Sequence, residues 1–329
     1  MRRRGFLAAL AALGLVPAAA CARQAPRREV LAFHYGWYGR DRGWGVSADG
    51  GRNHPNVPEG GLYDSLDPAL IARQFEQAQG SGVTGFITSG AGRSDDITDQ
   101  VLDALVAAAP QGFSVCAYLE QSGGSAEGLA ERLTSLHDRH AASPRWLRHE
   151  GRPVLFVFDR VIQEIGLEGW RAGLAAYRAA RPNGFFVVGP ANTTDEIEAR
   201  RGAFEALHIY SLTFVTDGWP WAAFSLLARR WMQRWVRAQG GLAVRTATVL
   251  PGFDDRRLDD RTGDRPITAR RQGRTYRALW EAALAARPDW ILIVSWNEWF
   301  EASEIEPSAE NGQRELETTR EMSGRFRAP

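Results

Sequence analysis

Eight short apolar runs, spaced fairly evenly along 329 residues, limit what this chain can fold into. They fall at 30–37, 83–89, 113–120, 153–159, 185–189, 206–211, 246–253 and 290–296. Most are near-continuous, like Trp290-Ile291-Leu292-Ile293-Val294, instead of alternating with polar residues. Such a strand has both faces covered, the condition of a parallel sheet flanked by helices. Helical stretches lie between the runs at 67–79, 96–109, 126–141, 167–180, 194–203, 221–239 and 268–286. The first opens on Asp67-Pro68, a capping aspartate followed by proline at the first helical position. Eight strands alternating with helices predict an α/β fold: a single (β/α)8 TIM barrel over residues 29–329. No Gly-x-Gly-x-x-Gly follows the first run, so an open dinucleotide-binding sheet has no support. The long connections, 38–66 and 254–267, follow the first and seventh strands and extend the C-terminal face, where barrels build active sites.

The first twenty residues read as an export signal. Arg2-Arg3-Arg4 precedes Gly5-Phe6-Leu7, an apolar run to Val16, and then Ala18-Ala19-Ala20-Cys21. That order resembles a twin-arginine signal over 1–20 with a polar linker over 21–28. The apolar run is too short for a membrane-crossing helix. Cys21 is a lipidation candidate, so the expected location is the periplasm or cell surface, with membrane contact only through a lipid on Cys21. Losing three arginines takes the formal charge from +1 to −2, which offers nothing to nucleic acid or an anionic membrane.

All forty basic residues are arginine, because the sequence contains no lysine. Schiff-base chemistry, pyridoxal phosphate and a P-loop each require one. Besides Cys21 the only cysteine is Cys116, inside an apolar run, so a structural zinc site is excluded and a buried thiol expected.

In a barrel, the residues ending each strand converge on one mouth. Here they are His34, Tyr35 and Trp37; Ser89; Glu120; Asp159; Asn192; His208 and Tyr210; Asp254 and Asp255; Glu298 and Glu301. Carboxylates accept hydrogen bonds from sugar hydroxyls and aromatic faces stack on sugar rings, so carbohydrate suits this lining. A metal-dependent barrel hydrolase would need His-x-His on the first strand, and Phe33-His34-Tyr35 offers one histidine. No metal and no cofactor is expected. His208 reads equally as a core histidine.

Glu298 and Glu301 follow the last run, in Trp296-Asn297-Glu298-Trp299-Phe300-Glu301. If that turn is helical, spacing of three puts the two side chains on one side, roughly 5–6 Å apart. Retaining glycosidases hold two carboxyls at about that separation, and mutual repulsion raises one pKa. Acids favoured by a helix N-terminus explain the spacing equally well.

The chain resembles glycoside hydrolase family 99, the endo-alpha-1,2-mannosidase and mannanase family. The resemblance rests on Asn297-Glu298-Trp299-Phe300-Glu301 and on collinear matches at Tyr35-Gly36-Trp37-Tyr38-Gly39, Tyr63-Asp64-Ser65-Leu66-Asp67-Pro68, Leu119-Glu120, Phe156-Val157-Phe158-Asp159, Ile209-Tyr210 and Pro251-Gly252-Phe253. It implies an alpha-glycan hydrolase acting with retention through a 1,2-anhydro sugar. Glu298 would be the base on the sugar 2-hydroxyl and Glu301 the acid on the leaving oxygen. Glu120 would bind near the 2-hydroxyl, with Tyr35 and Tyr210 lining the site. Trp37, Asp254, Trp296, Asn297 and Trp299 complete the expected substrate-binding set. Phe300 stands where the family usually has histidine, Ala302 replaces a glycine, and Arg256 or Arg257 would supply an arginine expected after the seventh strand. Other readings of the same mouth are an alpha-glucanase, a polysaccharide-processing enzyme of a related barrel family, and a non-catalytic glycan-binding lipoprotein.

Overall fold

A computed structural model describes residues 27–39, 43–45, 51–258 and 265–328. The expected export segment and Cys21 lie outside the described residues, as do positions 259–264 of the Arg/Asp-rich connection. Eight parallel strands form a closed barrel: β1 Glu29–His34, β2 Gly85–Gly90, β3 Ser114–Leu119, β4 Arg152–Val157, β5 Phe186–Pro190, β6 Ala206–His208, β7 Val244–Val249 and β8 Trp290–Ile293. Each pairs with the next, Leu31 opposite Gly85 between β1 and β2 and Tyr118 opposite Phe156 between β3 and β4. Pairing of Glu29 with Trp290 closes the ring between β1 and β8. A two-residue strand, Arg148–His149, runs antiparallel to β4.

The apolar runs became strands for the expected reason. All six residues of β1 and of β2 are buried, so both faces are covered. The interior is filled by rings. Phe33 lies 4.8 Å from Tyr118, 5.6 Å from His208 and 6.1 Å from Phe156, centroid to centroid. His208 is thus a core residue. Its Nε2 meets the Val157 carbonyl at 3.1 Å, and burial lowers its pKa to about 4, which keeps it neutral. Cys116 is buried and unpaired.

Around the barrel run α1 Pro68–Gly80, α2 Ile97–Ala108, α3 Ala126–His140, α4 Asp159–Ala180, α5 Thr194–Ala199, α6 Thr213–Thr216, α7 Phe224–Ala238, α8 Arg274–Ala286 and α9 Arg314–Arg327. Asp67 caps α1 as expected, its side chain accepting from the Ala69 N–H. The helix expected at 167–180 begins eight residues earlier, with a break at Gly166, whose φ of 67° suits glycine. The sequence pattern did not mark α9, a polar helix that buries Leu316, Met322 and Phe326 between α8 and α1. Among the described residues no helix is long and apolar enough to cross a membrane.

Several strands end before the apolar runs do. The run expected at 30–37 leaves the ladder after His34 because Tyr35 pairs its backbone with a side chain, Asn297. Gly36 then lets the chain pass close to α2: a Cβ there would come 2.7 Å from the Val101 side chain. These departures aim the strand ends into the mouth.

Candidate active site

After β8 the chain folds back and fastens to itself. The Ser295 N–H donates to the Ser303 carbonyl at 2.7 Å, and the Ile305 N–H returns to the Ser295 carbonyl at 2.9 Å. The Glu298 N–H donates to Ser295 Oγ at 2.7 Å, and the Trp296 N–H to the Phe33 carbonyl at 2.7 Å. Glu298 and Glu301 stand at the tip of this tied loop. It is a turn, not a helix, so the helical geometry supposed for the pair is absent. Stabilisation by a helix dipole goes with it.

Both acids line a cavity of about 150 Å³ on the C-terminal face, together with Tyr35, Trp37, Glu120 and Tyr210. Six of the expected site residues therefore meet at one place. Glu298 is only 4% exposed. Burial pushes its carboxyl well above the usual range, and the charges of Glu301 and Glu120 push the same way. The Phe300 N–H at 3.3 Å and the Tyr38 hydroxyl at 3.4 Å oppose that rise. Burial also raises Glu120, against hydrogen bonding from Ser89 and the charge of Arg160. The tyrosines form a short chain: Tyr35 Oη donates to Tyr210 Oη at 2.7 Å, and Tyr210 Oη donates to Glu301 Oε2 at 3.0 Å. Burial and nearby carboxylates hold both phenols well above their ordinary pKa, so they remain neutral donors.

Four residues expected to touch substrate lie outside this lining. Trp296 and Trp299 are 0% exposed and offer no face to a sugar. Trp296 packs against Phe86, and Trp299 donates from Nε1 to the Tyr63 hydroxyl at 2.8 Å. Asn297 is a clamp: Oδ1 accepts from the Tyr35 N–H at 2.7 Å, and Nδ2 donates to the Tyr35 carbonyl at 2.9 Å and the Tyr63 hydroxyl at 3.2 Å. Asp254 turns its carboxylate onto Arg256, at 2.8 and 2.7 Å, and Arg256 holds its pKa down. Its backbone N–H still braces the site, donating to the Glu301 carbonyl at 2.7 Å. The reason is common to all four. Residues that end a strand or hold the turn in place face the scaffold as often as the cavity.

The lining also includes Tyr118, Phe158, Arg160, Leu258 and Phe300, which sequence reasoning did not assign to the site. Tyr118 sits inside β3, and its pattern is that of a core residue. Arg160 follows Asp159 at the end of β4, one position past the residue singled out there. Asp159 itself is held by Arg200 at 2.8 Å. Neither Arg256 nor Arg257 reaches the lining. Among the described residues no group of three or more His, Cys, Asp or Glu side chains could hold a metal ion.

Residues 45–318 match the family described as Glycosyl hydrolase family 99. The glycoprotein endo-alpha-1,2-mannosidase of Xenopus laevis is 23% identical over 331 residues, spanning 85% of this chain and 70% of that protein. The glycoprotein endo-alpha-1,2-mannosidase-like protein of Mus musculus is 23% identical over 348 residues, spanning 90% and 73%. The solved GH99 endo-alpha-mannosidase from Bacteroides thetaiotaomicron has the same fold, with a TM-score of 0.75 at 22% identity, over 91% of this chain and 97% of that one. With the family match covering most of the barrel, including the turn that carries Glu298 and Glu301, the chain belongs to glycosyl hydrolase family 99 and is a glycoside hydrolase.

Proposed function

We propose that the enzyme is an exported, endo-alpha-1,2-mannosidase-like hydrolase that cleaves alpha-linked mannan-type glycans with retention of configuration. The observation carrying this reading is the placement of two carboxyls on one tied turn, facing one cavity, with Glu298 buried and its affinity for a proton raised. Once ionised, with the proton of the pair on Glu301, a carboxylate of raised pKa is the stronger base, which suits removal of a proton from a sugar hydroxyl.

In the proposed sequence Glu298 takes the 2-hydroxyl proton and the freed oxygen attacks C1, forming the 1,2-anhydro ring. The C1–O bond to the leaving sugar breaks, and Glu301 gives its proton to that oxygen. Water then attacks C1 from the vacated side, losing a proton to Glu301. The epoxide opens and O2 takes its proton back from Glu298. Two inversions give retention, and both acids end as they began. Neither acid needs to bond to C1, which agrees with their standing on a single turn. Tyr210, donating to Glu301, keeps that carboxyl aimed. The arginine-led apolar segment at 2–20 supports export, and Cys21 a lipid anchor after it.

The test is incubation of purified protein with alpha-mannan and alpha-glucan oligosaccharides, with product anomers followed by NMR. Retained alpha products from the mannans are expected, and Glu298→Gln and Glu301→Gln should each lose about 100-fold or more in rate. Inverted products would end the proposed mechanism, cleavage of glucans alone would move the substrate, and tight binding without cleavage would make the protein a glycan-binding module.

A further inference from the structure

One cation stands among the described residues of the cavity lining, and no contact among those residues accounts for it. Arg160 is exposed, in the first turn of α4, with its guanidinium over the Phe158 ring at 5.5 Å. A cation in a first helical turn opposes the helix dipole, so helix stability does not explain it. The acids that would ordinarily neutralise it are committed elsewhere. Glu164, four residues on and at the natural pairing distance, accepts from the Ser122 N–H at 2.8 Å and Ser122 Oγ at 2.6 Å. Asp159, its neighbour, is bound to Arg200 at 2.8 Å and accepts from Gln163 at 3.0 Å and Asn192 at 3.3 Å. Glu120 lies near enough to feel the charge, yet no hydrogen bond or ion pair joins it to Arg160 among the described residues. Arg139, Arg200 and Arg270, which also border buried regions, are each paired with a carboxylate. Among the described residues Arg160 has no hydrogen-bond or ion-pair partner, and its guanidinium lies over the Phe158 ring at the lip of a cavity whose other charges are carboxylates.

An arginine so placed matches an oxyanion on the ligand: its fork accepts a carboxylate or phosphate in two parallel bonds, and ring stacking limits its rotamers beforehand. We propose that Arg160 is a specificity-determining residue that binds an anionic substituent, a uronate carboxylate or a phosphate ester, on the glycan seated in the cavity. This rests on the hydrolase reading above and narrows its substrate from neutral glycan to acidic glycan. The carboxylates deeper in the cavity repel such a group, so it can bind only at the lip, and the anion fixes which way round the chain lies.

Three matched alpha-mannooligosaccharides test this: one neutral, one carrying a uronate and one carrying a phosphate ester. Their kcat/KM and, by calorimetry, their Kd are compared for the wild type, Arg160→Met and Arg160→Lys. Methionine keeps the packing on Phe158 without the charge. The wild type should prefer at least one anionic glycan over the neutral one by about tenfold, the worth of one good charged hydrogen-bonded contact. The preference should fall below about twofold in Arg160→Met, return in part in Arg160→Lys, and shrink with added salt. Which arm shows it identifies the anion. Equal values for all three glycans in the wild type, or a preference that survives in Arg160→Met, overturns the proposal. Glycans cleaved without anionic preference leave the hydrolase reading standing and remove this one. Anionic binding that depends on Arg160, without cleavage, does the reverse.

Discussion

Tyr210 donates its hydroxyl to Glu301 Oε2 at 3.0 Å while accepting from Tyr35 Oη at 2.7 Å. Both phenols are neutral, so the chain of bonds runs one way, from strand ends β1 and β6 to the acid on the turn after β8. A hydrogen bond to a charged group is worth about 1.5–3 kcal/mol. Tyr210→Phe removes the bond and keeps the ring, so kcat/KM should fall by roughly 10- to 100-fold with little change in unfolding midpoint. Tyr35→Phe, one bond further away, should cost less. An equal loss from both variants would show that the tyrosines act on substrate directly, not through Glu301.

The pH profile follows from the pair. Burial, then Glu301, then Glu120, raise Glu298, so its carboxyl releases its proton well above the ordinary carboxylate range. The proposed reaction needs one of Glu298 and Glu301 protonated and the other not. A plot of kcat/KM against pH should be bell-shaped, with its alkaline limb displaced upward. Glu120→Gln withdraws one of the charges that raise Glu298, so that limb should move to lower pH as the rate falls. A limb that stays in place on this substitution would mean that Glu120 is already neutral in the working enzyme.

Asn297 was legible as a motif residue and illegible as a structural one. Its three bonds to Tyr35 and Tyr63 join the end of β1, the first connection and the turn after β8 in the buried interior. Asn297→Ala leaves the Tyr35 N–H and C=O without partners, at about 1–3 kcal/mol each. Urea unfolding should show a loss of roughly 3 kcal/mol or more, with activity falling too as Tyr35 shifts. A variant of wild-type stability would show that water or a shifted backbone satisfies Tyr35.

The same contrast runs through the rest of the chain. The eight strands were readable because burial on both faces leaves an uninterrupted apolar run, as in β1 and β2. Helix α9 was not, because a helix closing the gap between α8 and α1 needs only a few apolar residues, here Leu316, Met322 and Phe326. At the mouth, chemistry marked the carboxylates and tyrosines. Direction could not be read. Trp296 and Trp299 look like sugar platforms in the sequence and are wedged behind the turn, while Phe158 and Phe300, which were assigned no substrate contact, line the cavity. Which side of the wall a residue takes depends on backbone pairing beyond the ladder, such as the Asn297–Tyr35 clamp.

Behind that wall, Glu306 gives a stability effect separable from catalysis. Its Oε2 accepts from the Tyr63 hydroxyl at 2.8 Å and its Oε1 from Gln74 Nε2 at 2.9 Å, and burial raises its pKa from 4.5 to about 7. Below the unfolded value both states hold the proton. Between 4.5 and about 7 the unfolded chain has released it and the folded chain has not. Folding is thus progressively disfavoured as pH rises through that window, by roughly 3 kcal/mol for this group when complete. Buried His34 and His208, each lowered to about 4, act in the opposite sense over an overlapping range, so the whole-protein curve blends the two. Glu306→Gln isolates the carboxyl, since an amide of the same shape still accepts from one of the two donors and never ionises. Urea unfolding of both proteins from about pH 5 to pH 8 should show the variant gaining on the wild type by roughly 3 kcal/mol across the range. A difference that stays flat with pH would mean that Glu306 is already ionised in the fold at the acid end, its charge held by Tyr63 and Gln74.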